Sequence, residues 1–252
     1  MHEQLLSGAT RDRGKDNNPG RFRDRQVYIG SALDIALARY VPPPAEKVDA
    51  LMANLEEYAN ARTTGKYHPM LVRIAIAHYQ FEAIHPFLDG NGRIGRLLIS
   101  LLLSSWGILP EPLLYLSDYF ERNKTEYQDR LWRVSRDADW IGWVQFFLKG
   151  VREVAHDATK RARTLLSMRE QYRQSLQQGK RKASAKALAL VDYIFRCPFI
   201  TAQMAAGELG VTYNAGRKNI DKLIEAGILF EHESRTWNKL YYAKPVLDVL
   251  SA

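Results

Sequence analysis

Apolar residues recur at helical spacing along most of this chain. In one segment they follow each other at steps of three and four residues: Val48, Leu51, Met52, Leu55 and Tyr58. This period is typical of a helix with one face against a core. The same pattern predicts helices over residues 69–84, from Gly92 onward, over 123–134 and from 140 to about 166. The sequence therefore predicts a mainly α fold built on a helical bundle.

A short segment before the bundle has a different pattern. The run Gln26, Val27, Tyr28, Ile29 and Gly30 is typical of a strand. Residues 39–41, which precede three prolines, are a suitable partner strand. We expect a small β-hairpin here.

The pattern changes again after residue 165. Residues 166–186 are rich in Arg, Lys and Gln, which predicts a basic helical linker after a first domain at 1–165. Residues 187–252 contain three short helical patterns, with Gly210 at a turn and Thr212 as an N-cap. Alternation over 230–243 then predicts a hairpin wing. This last segment is expected to be a winged helix-turn-helix domain.

Composition excludes several classes of protein. The 252 residues are 46% hydrophobic and 25% charged, which is ordinary for a globular chain. The single Cys197 cannot form an intramolecular disulfide, and no secretion signal is evident, so a cytoplasmic location is expected. The most apolar stretch, 97–103, is too short to cross a bilayer and predicts a buried core helix. A net charge of +8 suits a nucleic acid or a nucleotide as partner without choosing between them.

Residues 85–96 combine a glycine-rich turn with a new helix N-terminus. Gly90, Asn91 and Gly92 can expose successive N–H groups at the positive end of that helix, which makes a cradle for an anion. Arg93 and Arg96 lie three residues apart and can point toward the same phosphates.

Two further side chains complete the chemistry of this segment. Asp89 offers one carboxylate, which is how proteins commonly hold Mg²⁺ beside phosphates. His85 can accept a proton near neutral pH and is the candidate general base. A glycine turn, a helix-end histidine or an arginine pair alone is usually structural. Their uninterrupted combination predicts a Mg-nucleotide site.

The segment resembles the signature of the Fic family, His-Pro-Phe-x-Asp/Glu-Gly-Asn-Gly-Arg-x-x-Arg, and matches every specified position. The resemblance covers roughly the first two-thirds of the chain. It extends over these ranges: 19–23, 26–30, 40–43, 114–117 and 140–150. It implies a protein adenylyltransferase that uses ATP and Mg²⁺ to place AMP on a Ser, Thr or Tyr hydroxyl of a target protein or of itself.

The resemblance also implies a role for each matching residue. His85 would deprotonate the target hydroxyl, Asp89 would bind Mg²⁺, and residues 90–92 would hold the phosphates. Arg93 and Arg96 would neutralise the β- and γ-phosphates. Tyr127 would line the adenine pocket, although a core position fits it equally well. The hairpin from Gln26 would be a flap that pairs with an extended segment of the target.

One feature of many Fic proteins is missing from the sequence. Their inhibitory helix carries Ser/Thr-x-x-x-Glu-Gly/Asn, and its Glu would pair with Arg96. Ser117 to Glu121 has the spacing, but Arg122 follows it and it lies on the wrong side of the signature. We expect a shortened form of a self-inhibited protein; restraint by a separate partner is the alternative.

Other functions remain open at this point. The C-terminal segment could make the chain a DNA-binding regulator, or it could serve dimerisation or target docking. The candidate DNA contacts are Tyr213, Asn214, Arg217 and Lys218. Relatives of the signature also transfer phosphate, UMP or phosphocholine, or remove AMP. The sequence does not identify the target or the oligomeric state, a homodimer being one alternative.

Overall fold

The computed structural model describes residues 2–7, 19–30, 35–61, 68–109, 114–178, 184–232 and 239–251. It divides into two compact units, Met1–His156 and Asp157–Ala252. Both are mainly helical, which confirms the predicted fold class. The structural division precedes the boundary at residue 165 that the sequence suggested.

The first unit is a set of helices around α3. Its helices are α1 (His2–Ser7), α2 (Val48–Asn60), α3 (Met70–Ile84), α4 (Asn91–Ser105), α5 (Leu116–Arg122), α6 (Lys124–Asp137) and the first part of α7 (Trp140–Gln178). Helices α2, α3, α6 and α7 lie where the apolar period predicts them, whereas α1 and α5 were not predicted. Helix α3 ends before Pro86, as the steric effect of that proline predicts.

The core of this unit forms where α3 packs against α2, α4 and α6. Ile74 and Ala75 of α3 are fully buried, and the indole Nε1 of the buried Trp143 donates to the Ala75 carbonyl over 2.9 Å. The predicted apolar face of α2 is confirmed, since Val48 and Leu55 are buried. This packing fixes the ends of α3 and α4 that carry the signature residues.

Residues 97–103 lie in a core helix, as predicted, but only one face of it is buried. Ile99, Leu102 and Leu103 are buried, but Leu97 is 43% and Leu101 49% exposed, because the helical period turns them away from the core. Within the described part of the chain, no helix is both long enough and apolar enough to traverse a bilayer.

The predicted hairpin reduces to one bridged pair among the described residues. Ile29 and Tyr40 exchange backbone hydrogen bonds of 2.8 and 3.2 Å. The Gln26 side chain adds a hydrogen bond to the Pro42 carbonyl over 2.8 Å. These contacts hold the two sides of the flap together, while residues 31–34 lie outside the described part.

The second unit contains helices and a small sheet. After the end of α7 come α8 (Ala185–Ile194), β1 (Phe199–Thr201), α9 (Ala202–Leu209), α10 (Tyr213–Glu225), β2 (Phe230–Glu231), β3 (Leu240–Tyr242) and α11 (Lys244–Ser251). The sheet has the order β1-β3-β2 with antiparallel pairs. The Thr201 and Thr212 hydroxyls cap α9 and α10 by accepting from Met204 N and Ala215 N.

Part of the predicted linker belongs to this second unit. Residues 166–178 continue α7, with Leu176 buried and Met168 and Tyr172 packed against the same core. The sequence missed β1 and α11. The wing residues 235–238 lie outside the described residues, so the winged-helix assignment stays a prediction.

Candidate active site

The turn between α3 and α4 has an unusual backbone. His85 ends α3 with φ 51°, a left-handed conformation that few non-glycine residues adopt, and Gly90 begins α4 with φ 84°. The Asn91 side chain spans the turn, accepting from Phe87 N over 2.9 Å and donating to Phe87 O over 2.7 Å. The turn is therefore held by side-chain bonds that compensate its strained start.

Arg23 holds the same turn from the other side. Its side chain is buried, and its Nε donates to the His85 carbonyl over 2.9 Å. The terminal nitrogens of the Arg23 side chain donate to the carbonyls of Ile84 and Pro43. The backbone N–H of Arg23 donates to the Pro86 carbonyl over 2.8 Å. Carbonyls at the end of α3 have no partner within the helix, and Arg23 supplies one.

His2 contacts the turn from α1. Its ring stacks on Phe87, with centroids 3.8 Å apart, and its Nε2 donates to the Asp89 carbonyl over 2.9 Å, because Nδ1 accepts from Gly20 N. The sequence singled out neither His2 nor Arg23, since both act through contacts that are distant along the chain.

A cavity of about 930 Å³ opens beside this turn. It brings together several of the predicted site residues: Ile29, Gly30, His85, Gly92, Arg96 and Tyr127. Tyr127 is also buried, so the alternatives of a pocket position and a core position both describe it. Gln26 and Tyr28, by contrast, lie on the exposed side of the flap, and Val27 is half-buried.

Other predicted residues do not line the cavity. Arg93 turns back toward Asp89, with the guanidinium 3.4 Å from Oδ2, while Asp89 Oδ1 accepts from Gly90 N over 2.6 Å. Since the Asn91 side chain is engaged within the turn, only its backbone remains for a phosphate. In this arrangement Arg96, rather than both arginines, faces the cavity.

Asp89 suits a magnesium ion whose other ligands are phosphate oxygens and water. Its carboxylate is 42% exposed, so its oxygens are accessible from solvent. No cluster of three His, Cys, Asp or Glu that could hold a metal occurs among the described residues. One carboxylate at the lip of a phosphate site suits Mg²⁺, which takes its other ligands from phosphates and water.

His85 is held in the neutral form. Burial lowers its pKa to about 4. The Glu82 backbone acts to raise this pKa, and the positive charge of Arg23 acts to lower it. The Glu82 backbone is close, yet the buried Nδ1 makes no hydrogen bond of standard geometry with any described residue. The ring is therefore ready to accept a proton at neutral pH, as a weaker base than the usual histidine pKa suggests.

A buried polar network underlies the cavity. His78 is fully buried, with Nε2 2.8 Å from the Tyr127 hydroxyl and Nδ1 3.0 Å from the Gly95 carbonyl. Burial lowers the His78 pKa to about 4 and raises that of Glu82 to about 7. The available signal in the sequence was that His78 and Glu82 lie four residues apart, and so on one face of the predicted helix.

The predicted DNA contacts of α10 fall into two groups. Tyr213, Asn214 and Lys218 are exposed on the first turns of the helix. Arg217 instead binds Asp221 over 2.9 Å and lies 5.2 Å above the ring of the buried Tyr241. Its guanidinium is therefore engaged within the second unit.

Comparison with known proteins matches the first part of the chain. Residues 1–103 match the model of the Fic/DOC family. The chain is similar to Protein adenylyltransferase Fic of Drosophila willistoni, with 40% identity over 91 residues, 36% of this chain and 16% of that protein. It is similar to the Aedes aegypti protein of the same name, with 34% identity over 127 residues, 50% of this chain and 22% of that protein. The chain thus spans only a small part of these relatives.

A solved structure supports the fold over nearly the whole chain. The crystal structure of a Fic family protein from Desulfovibrio desulfuricans G20 matches 96% of this chain and 66% of its own, with a TM-score of 0.54 and 24% sequence identity. At that identity the match concerns the fold alone. The match of the family model supports a Fic/DOC domain at residues 1–103.

Proposed function

We propose that this chain is a protein adenylyltransferase that moves AMP from ATP to a hydroxyl side chain of a protein. The observation that carries the proposal is the cavity in which His85, at the end of α3, and Arg96, in the second turn of α4, meet across one short turn. A neutral imidazole and a guanidinium on the same cavity are the groups that attack on a phosphate requires. The named relatives support this chemistry.

The reaction balances with the residues present. The target hydroxyl loses its proton to His85 as its oxygen attacks the α-phosphorus of ATP. The bond from that phosphorus to the bridging oxygen breaks, and pyrophosphate leaves with the electron pair. The product is a phosphodiester between AMP and the protein. Because burial keeps His85 neutral, no proton has to be removed from it beforehand.

The start of α4 binds the phosphates in this proposal. Its first N–H groups have no partner within the helix and lie at the positive end of the helix dipole. Arg96 adds a full positive charge from the cavity wall. Asp89 would hold a magnesium ion, which when bound neutralises phosphate charge. Tyr127 and the neighbouring apolar side chains would enclose the adenine.

The flap provides the place for the target. Ile29 and Gly30 line the cavity, and Ile29 forms a backbone bridge with Tyr40 on the other side of the flap. An extended peptide could therefore add as a strand beside the flap and bring a Ser, Thr or Tyr to His85. Segments of the chain itself meet the same requirement, so self-modification is expected.

Intact-mass measurement tests the proposal. The purified chain is incubated with Mg²⁺ and one of three donors, ATP, UTP or CDP-choline. The mass of each product is then measured by mass spectrometry. We expect a gain of one or more adenylate groups with ATP, retained in His156→Ala, whose histidine is exposed on α7, and lost in His85→Ala. A gain of a phosphate, uridylate or phosphocholine group would show that the chain transfers that group instead of AMP. If neither the chain nor any protein of an added lysate gained mass, the proposal would be wrong.

DNA binding by the second unit is a second candidate, favoured by one face of α10. Asn214, Lys218 and Lys222 follow at steps of four residues and are all exposed, with Tyr213 beside them. This face of a proposed winged helix could contact bases and phosphates. Fluorescence anisotropy with a duplex should show salt-sensitive binding that Lys218→Glu weakens and Lys149→Glu, on α7, does not. Equal binding by both variants would rule out α10 as the contact.

A further inference from the structure

One carboxyl group in the cavity takes no part in the reaction described above. Glu82 lies on α3, one helical turn before His85, and lines the cavity. Its Oε1 is buried and has no hydrogen-bond partner among the described residues. An unpartnered buried acceptor destabilises the fold, so its presence on the wall of a binding site calls for a functional reason.

The absence of a side chain at Gly95 of α4 leaves room for this carboxyl. A Cβ at Gly95 would lie 3.1 Å from Glu82 Cδ, closer still to Oε1, and 3.2 Å from His78 Cε1. Any side chain at Gly95 would therefore displace the carboxyl. Glu82 and Arg96 line the same cavity, and the charge of Arg96 acts on the Glu82 carboxyl, so Glu82 lies toward the end where the phosphates are proposed to bind.

The groups that face Glu82 come from three helices. Helix α4 contributes Arg96, whose charge favours the ionised carboxylate. Helix α6 contributes Tyr127, whose hydroxyl forms a hydrogen bond with His78. The histidines of α3, His78 and His85, have their pKa values lowered to about 4 by burial and are neutral at pH 7. The charge that balances Glu82 is therefore that of Arg96.

Three further charged residues line the mouth of the cavity. They are Arg39, Glu121 and Lys124. All three are exposed, and Glu121 and Lys124 pair with each other over 3.2 Å. Solvent screens them, so their influence on a buried carboxyl is small.

We propose that Glu82 is the counter-charge of Arg96 in the nucleotide-free cavity, and that its carboxylate takes up a proton from solvent when a nucleoside triphosphate binds beside Arg96. The inference rests on the proposed function, since it requires the phosphates to bind at this end of the cavity. Phosphates attract Arg96 and place negative charge near a buried carboxylate, and both effects favour the neutral acid. Burial already raises the pKa of Glu82 to about 7, so this proton is exchanged near physiological pH.

Calorimetry of nucleotide binding tests this inference. The probe is α,β-methylene-ATP with Mg²⁺, which cannot undergo cleavage between its α- and β-phosphates. Titrations at pH 8 in two buffers of different ionisation enthalpy give the number of protons taken up. We expect up to about one proton per nucleotide in the unmodified chain and in Glu57→Gln, whose side chain is exposed on α2 away from the cavity, and a clearly smaller number in Glu82→Gln.

Affinity provides the readout that a purely structural role would not change. At pH 8 Glu82→Gln should bind the nucleotide up to about tenfold more tightly than the unmodified chain, because it needs no proton. At pH 6 the two should bind equally within about twofold.

The possible results separate this inference from the proposed function. Equal proton counts in the unmodified chain and Glu82→Gln, or an affinity ratio that does not change with pH, would overturn the role of Glu82 while leaving nucleotide binding intact. If no variant showed binding heat, the proposed nucleotide site would be wrong, and the inference about Glu82 would fail with it.

Discussion

The Nε atom of Arg23 donates a hydrogen bond to the carbonyl oxygen of His85 over 2.9 Å, joining residues that are 62 positions apart along the chain. The contact matters because His85 occupies a left-handed conformation at the end of α3. The imidazole of the candidate base is thus positioned through its own backbone by a residue that does not itself line the cavity.

Replacing Arg23 should therefore impair both folding and transfer. Arg23→Lys keeps the charge but cannot reach several carbonyls at once, so we expect a loss of about 2 kcal/mol in unfolding free energy. Transfer should fall by at least tenfold at a temperature where the variant is folded. Urea unfolding and an ATP transfer assay measure the two effects, with the exposed Arg21→Lys as control. Full transfer activity in Arg23→Lys would show that the positioning contact is dispensable.

The pH dependence of transfer should reflect the buried state of His85. Since its pKa is lowered to about 4, kcat/KM for ATP should show no acid limb near 6.5 and should fall on the acid side only as pH approaches 4. On the alkaline side the ionisation of Glu82, whose pKa burial raises to about 7, should lower kcat/KM by weakening ATP binding. The depressed pKa values of His78 and His85 also contribute stability that is lost as pH falls from about 6.5 to about 4, so Tm is recorded at each pH. An acid limb centred near 6.5 in folded protein would contradict the described environment of the ring.

Gly95 and Glu82 should be coupled through the space they share. Gly95→Ala places a methyl group against the Glu82 carboxyl and should destabilise the first unit by about 2 kcal/mol. Adding Glu82→Ala should recover much of that loss, because the clash is removed. Gly207→Ala is the matched control, since a Cβ there meets nothing within 4 Å. Additive effects of the two substitutions in urea unfolding would show that the residues do not share this space.

Glu82 should also make stability depend on pH in a defined direction. Its folded pKa, about 7, lies above the ordinary value of 4.5, so its contribution is fully present below 4.5 and is lost as pH rises to about 7. Glu82→Gln should accordingly gain Tm over the unmodified chain across that window, and the gain should level off above pH 7. Thermal scans at several pH values check this, with Glu121→Gln as control. A constant difference between Glu82→Gln and the unmodified chain would contradict the raised pKa.

The sequence was informative where chemistry depends on neighbours along the chain. The turn from His85 to Arg96 and the helices on either side of it follow from local rules, because a proline stops α3 and a glycine starts α4. The same rules do not reach Arg23 or His2, whose partners are remote, and nothing local shows that Arg93 turns toward Asp89 while Arg96 enters the cavity.

Burial was the other property that the sequence left open. Glu82 and His78 appear as ordinary polar positions of an amphipathic helix until α4 and α6 pack over them. In the second unit β1 was missed because its three residues pair with β3, which lies about forty residues further along the chain. Arg217 was proposed as a DNA contact, although Asp221 follows it by four residues on the same helix; its contact with Tyr241 depends on the sheet.

Paired radiolabels test the central claim most directly. The chain is incubated with Mg²⁺ and ATP labelled on either the α- or the γ-phosphate, in unmodified form and as His85→Ala. We predict that α-label becomes covalently bound to protein, that γ-label appears only in released pyrophosphate, and that His85→Ala retains less than about one-hundredth of the α-label. Protein-bound γ-label, or equal α-label in His85→Ala, would contradict adenylyl transfer by this cavity.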